Sequence, residues 1–154
     1  MIQLRLDSTF DRLARRFQLI RDDLDVESLL DEAGALTLNR IRTHFLEEKD
    51  PDEKSWEPSQ AAIIRRGGGF TYRGGKRFTG TGTLFESGRL FRSIQLFTRG
   101  PGVRAIATDV PYGKFHQFGV PGRLPIRQFL GFGEKDEDLV ERLLGKRLER
   151  LLRG

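Results

Sequence analysis

Two long segments with helical spacing constrain the fold most. The first follows Asp25, a residue type that caps helices, and runs from Val26 to Phe45, and the second covers residues 134–153. In both, apolar side chains recur every three or four positions, so one face of each helix has to be buried. Acidic residues open the second helix and basic residues close it, which complements the helix dipole. The apolar stripe predicted to hold this second helix to the core contains Leu139, Leu143, Leu144 and Leu148.

A β-hairpin is predicted between these helices. Residues 95–98 and 103–108 have the spacing of two strands, and the Gly-Pro-Gly sequence at 100–102 supplies a tight turn. Gly34, inside the first helix, costs about 1 kcal/mol relative to alanine, and close packing against a neighbouring element is our interpretation of it.

Four further elements complete the predicted fold. Residues 1–7 alternate like a strand, residues 10–20 have helical spacing, and short helices are predicted at 88–94 and 111–118. The length suits one domain. We therefore predict a single α+β domain over residues 1–154, in which two long helices pack against a small, mainly antiparallel sheet.

Residues 50–83 differ in kind from the rest of the chain. They contain two proline turns and seven glycines without a regular period, which predicts a long extended loop, arm or hairpin. No acidic residue lies between Glu57 and Glu86, so this stretch is strongly basic and favours an anionic partner. The residues predicted to contact DNA or an acidic neighbouring protein are Arg65, Arg66, Arg73, Lys76 and Arg77.

Three residues are predicted to act as structural or interface anchors: Trp56, Arg127 and Phe129. Trp56 is the only tryptophan and lies between two turns, so its ring either pins this loop to the core or anchors an interface. Arg127 and Phe129 shape the segment before the last helix. We expect Arg127 to pair with a carboxylate on a neighbouring chain.

The sequence offers little for catalysis. It has no cysteine and only two histidines, His44 and His116, with no carboxylate cluster that would complete a metal site. A phosphate-binding loop fails because Arg77 stands where the pattern after Gly75-Lys76 requires serine or threonine. No apolar run is long enough for a membrane helix, and no signal peptide is evident. We expect no enzyme, no cofactor, no metal and no membrane association.

Five segments, in this order, resemble motifs of the phage virion morphogenesis family, the tail-completion proteins of Mu-like and P2-like tailed phages. Gly113 stands where that family usually has alanine, and Gln128 where it usually has proline. The resemblance covers roughly residues 25–150. The segments are Arg-Ile-Arg-Thr-His-Phe (40–45), Asp-Pro-Asp-Glu-Lys-Ser-Trp-Glu-Pro (50–58), Gly-Arg-Leu-Phe-Arg-Ser-Ile (88–94), Tyr-Gly-Lys-Phe-His-Gln-Phe-Gly (112–119) and Leu-Pro-Ile-Arg-Gln-Phe-Leu-Gly (124–131).

This resemblance implies a structural protein at the junction of head and tail, forming a ring around the DNA channel, commonly of six copies. Its implied partners are copies of itself, neighbouring neck and tail proteins and, without sequence specificity, the channel DNA. The implied location is the virion, with assembly in the cytoplasm of the bacterial host. Three alternatives remain: another ring of the same neck, such as the tail terminator or the stopper, a stand-alone nucleic-acid-binding module, or a small hydrolase that uses His116.

Overall fold

The computed structural model of the chain describes residues 25–67 and 82–153. The predicted strand at 1–7 and helix at 10–20, and the part of the glycine-rich stretch at 68–81, lie outside these residues. The described residues form α1 (Val26–Glu47), α2 (Gln60–Arg66), α3 (Arg89–Ser93), β1 (Gln95–Gly100), β2 (Val103–Ala107), α4 (Gly113–Phe118) and α5 (Glu134–Arg153).

The first long helix begins where the sequence predicts. The side chain of Asp25 accepts a hydrogen bond from the Ser28 backbone N–H at 3.0 Å and so caps α1. Residues at helical spacing then face inward, and α1 packs against both strands and α5. A Cβ at Gly34 would lie 2.7 Å from a methyl carbon of Leu96, which confirms close packing as the reason for this glycine.

The hairpin is also confirmed. Strands β1 and β2 pair antiparallel in a two-stranded sheet, with Gln95 opposite Ala107. The turn end of the hairpin is tied to the first turns of α1, because Arg104 forms ion pairs with Glu27 at 2.8 Å and Asp31 at 2.5 Å. Helices and one antiparallel hairpin together confirm the α+β class.

The core lies between α1 and the irregular segments that follow it. Its buried residues come from α1, from α3 and its C-terminal end, and from three loops, so the loops supply three of the seven and the two strands supply none. These residues are Ile41, Phe45, Trp56, Leu90, Ile94, Val110 and Phe129.

A buried carboxylate ties α5 to α1. Asp136 is 2% exposed and accepts hydrogen bonds from Arg40 Nε at 2.5 Å and from the Gly133 backbone N–H at 3.0 Å. Glu53 adds a bridge to Lys135 at 2.5 Å. The predicted leucine stripe of α5 is half-buried along its length. Among the described residues of α5, the fully buried one is therefore an ion-paired aspartate and not a leucine.

One predicted element is wrong. Residues 60–66, predicted as part of the extended arm, form α2. The Ser59 hydroxyl caps this helix by accepting a hydrogen bond from the Ala62 backbone N–H at 3.1 Å, and Ala62 is fully buried. The capping serine and the buried alanine both contribute to ordering this short segment against the core.

Asp136→Ala is expected to lower the free energy of unfolding by about 2 to 4 kcal/mol, because it removes the buried carboxylate that hydrogen-bonds the partly buried Arg40 guanidinium. Urea unfolding followed by circular dichroism measures this change. The matched control is Asp138→Ala, an exposed aspartate of the same helix turn, which is expected to cost less than about 1 kcal/mol. Equal losses in the two variants would contradict this role for Asp136.

Candidate assembly site

The chain leaves α1 through a turn that is closed by backbone hydrogen bonds. Glu48 adopts a left-handed conformation, with φ of 59°, and its N–H bonds to the last carbonyls of the helix. Lys49 then pairs with Ser55 in an isolated bridge, and the Trp56 backbone N–H returns to the Glu48 carbonyl at 2.7 Å. Because of this closure, Trp56 enters the core immediately after the turn.

Trp56 and Phe129 both pack against Phe45 in the core. The Phe45 ring packs edge-on against both, with centroid distances of 5.6 Å to Trp56 and 5.8 Å to Phe129. The indole N–H of Trp56 donates to the Gln128 carbonyl at 3.0 Å. In the single chain, the Trp56 ring therefore joins the loop after α1 to the segment before α5.

Arg127 lies inside the chain. It is 3% exposed, and its Nε donates to the Glu57 carbonyl at 2.7 Å. Its pairing with a carboxylate of a neighbouring chain stays a prediction. The carbonyl that it contacts within its own chain lies 70 positions away in the sequence, which local sequence patterns do not reveal.

Glu48 also holds both ends of the glycine-rich stretch together. Its carboxylate accepts hydrogen bonds from Arg66, at the end of α2, and from both the backbone N–H (2.8 Å) and the hydroxyl (3.0 Å) of Thr83. We call Glu48, Arg66 and Thr83 the root. Burial alone would raise the pKa of Glu48, but the hydrogen bonds from Arg66 and Thr83 outweigh it and lower the pKa.

The predicted basic contact residues are only partly placed. Arg66 is engaged with Glu48 at the root, so its charge is compensated within the chain. Arg65 lies in α2, next to the root. Arg73, Lys76 and Arg77 lie outside the described residues. The structure thus describes the residues on either side of these three, Arg66 and Thr83.

A second surface was not identified as a site from the sequence. Phe115 and Phe118, on α4, and Ile126, in the loop that follows, are exposed by 46%, 74% and 66%. We call these three residues the aromatic face. Two exposed cations, Lys114 and Arg123, flank it. The available sequence signal was the three-residue spacing of Phe115 and Phe118, which puts both rings on one side of a helix.

His116, the candidate catalytic histidine of the hydrolase alternative, belongs to α4. It is half-buried in α4, its ring packs edge-on against Tyr112, and its Nδ1 has no hydrogen-bond partner among the described residues. Burial lowers its pKa, and the nearby charge of Arg127 lowers it further. The described residues contain no group of three histidine, aspartate or glutamate side chains placed to hold a metal ion.

The chain matches the phage virion morphogenesis family over residues 4–149 and belongs to it. Comparison with curated proteins and with solved structures gives no significant match. The protein is thus a phage protein of virion morphogenesis with a structural role. Within residues 25–67 and 82–153, no helix has the length and apolar character needed to cross a membrane.

Glu48→Gln is expected to lower the free energy of unfolding at pH 7 by about 1 to 3 kcal/mol, since hydrogen bonds to a charged carboxylate are lost. The pKa of Glu48 is lowered in the folded chain. Its ionised form therefore stabilises the fold above the ordinary glutamate pKa of about 4.5, and this contribution is lost as the pH falls through the folded pKa.

Urea unfolding of wild type and Glu48→Gln over the range from pH 7 down to about pH 3 measures this effect, and the two curves should converge on the acid side. The control is Glu47→Gln, a neighbouring exposed carboxylate that pairs with Lys49 on the surface. A constant difference between wild type and Glu48→Gln at every pH would contradict the root as an ionic contact.

Proposed function

We propose that this protein completes the phage tail or joins it to the head, as one subunit of a ring, commonly of six copies, around the DNA channel. Its role is to bind and position neighbouring proteins, without catalysis. The observation that carries the proposal is family membership over residues 4–149. The neck position and the ring are the expectations that the sequence resemblance supplies.

The root supports this proposal physically. Arg66 and Thr83 share the carboxylate of Glu48, so the chain enters and leaves residues 67–82 at one place. A basic, glycine-rich stretch whose two ends are held at the domain suits a protein that contacts a neighbour through this stretch. In this proposal, Arg73, Lys76 and Arg77 meet acidic protein surfaces or the phosphates of channel DNA.

A stand-alone nucleic-acid-binding module is the alternative that the charge distribution favours. It requires tight DNA binding by the purified chain, with an affinity that falls steeply as salt increases. A ring subunit requires weak DNA binding in isolation together with self-association. A salt titration of DNA binding, combined with a mass measurement of the same sample, separates the two. If the protein forms another ring of the same neck, such as the tail terminator or the stopper, it occupies a different position in the particle.

Replacing Arg73, Lys76 and Arg77 by glutamine is expected to reduce the yield of joined head–tail particles at least about tenfold, the effect of losing about 1.4 kcal/mol of contact energy. Complementation of a phage that lacks the gene, with particles counted by electron microscopy, measures this yield. The control is Lys54→Gln with Arg99→Gln and Arg153→Gln, which removes the same charge from exposed positions elsewhere. Equal yields from the two triple variants would contradict the proposed contact.

A further inference from the structure

The aromatic face groups three exposed apolar side chains. Phe115 and Phe118 lie three residues apart on α4, so their rings point to the same side. Gly119 lets the next loop approach, because a Cβ there would lie 2.9 Å from the Ile126 side chain. Phe118 and Ile126 line one groove of about 430 Å³. Exposed apolar side chains that are grouped in this way are typical of interaction surfaces.

This face is held in place by backbone hydrogen bonds. Val120 and Leu124 exchange two of them, at 2.9 and 2.8 Å, around a turn in which Gly122 has φ of 68°. The Arg127 backbone N–H donates to the His116 carbonyl at 2.8 Å and ties this turn back to α4. A preformed surface loses little conformational entropy on binding, which favours association.

Its charges indicate the chemistry of the partner. No acidic residue lies between Asp109 and Glu134, whereas Lys114 and Arg123 are exposed beside the face. The ammonium of Lys114 lies 5.2 Å from the centre of the Phe115 ring. Double-stranded DNA would pair with the cations but leave the phenyl rings in water. A protein surface that combines apolar and acidic side chains fits both.

The chain itself carries such a surface on α5. Glu137, Glu141, Leu144 and Leu148 follow a spacing of four, three and four residues, so they form one stripe along the helix. The two glutamates are exposed and the two leucines are half-buried. Asp136 bonds to α1, which places this stripe on the flank of α5. The stripe passes from acidic to apolar within about three turns.

We propose that the aromatic face of one copy binds this stripe of a second copy, with Lys114 and Arg123 opposite Glu137 and Glu141. Because the two surfaces differ, each copy has one of them free after the contact forms. The contact is therefore head-to-tail and repeats from copy to copy, and it forms a closed ring when the rotation between neighbouring copies divides a full turn. The inference rests on the self-assembly included in the proposed function and assigns the surfaces that perform it.

A charge-swap experiment on the purified full-length chain tests this contact. Lys114→Glu with Arg123→Glu, and separately Glu137→Lys with Glu141→Lys, should each weaken self-association at least about tenfold, since like charges then face each other. Mixing the two variants, or combining all four changes in one chain, should restore association. Sedimentation velocity over a concentration series measures it. The control is Lys54→Glu with Arg99→Glu, two exposed cations outside the face, which should associate like wild type.

Two results overturn the proposed contact: a wild-type chain that stays monomeric, or weakened variants that the complementary change does not restore. To separate this from failure of the proposed function, a photo-cross-linking residue replaces Phe118 in assembling phage. A cross-link to another virion protein overturns the contact between copies but leaves the structural role in place. Absence of the chain from finished particles overturns the proposed function itself. A cross-link to residues 137–148 of a second copy supports both.

Discussion

The fold depends on the ring of Phe45, in the last turn of α1. Its centre lies 5.6 Å from Trp56, 5.6 Å from Phe91 and 5.8 Å from Phe129, so one side chain joins α1 to three later segments. Aromatic pairs contribute about 0.5 to 1.5 kcal/mol each beyond the area that they bury. With a sheet of two strands among the described residues, this cluster performs the packing that a larger sheet face would otherwise provide.

A core built around loops has a direct consequence for function. Trp56, Phe129 and Arg127 fix irregular backbone from inside, through one ring cluster and two hydrogen bonds to carbonyls. The surfaces above that backbone are then held in position while they remain exposed. The aromatic face arises in this way, because it lies on α4 and the loop that leads to Arg127. The root, one residue after α1, holds the two ends of the glycine-rich stretch. Structural subunits require such surfaces, because they function by binding their neighbours.

The sequence predicted what local spacing determines. Asp25 and the helical period fixed the start and buried face of α1, and the hairpin and α5 followed from the same kind of pattern. It missed α2, because the helix is short and its order comes from burying Ala62. It also missed the root, since the partners of Glu48 lie 18 and 35 positions away. It missed the burial of Arg127 for the same reason, because the Glu57 carbonyl that accepts from Arg127 lies 70 positions away. Long-range pairing of polar groups leaves no periodic signal.

The central claim is that this member of the phage virion morphogenesis family acts as a structural subunit of the finished particle. The most direct measurement is an electron cryomicroscopy reconstruction of the neck of the assembled phage, with the chain traced in the density. The account predicts several copies around the DNA channel between head and tail, with the core seen here preserved in each. A finished particle from which the chain is absent, or which carries it away from that junction, would contradict the account.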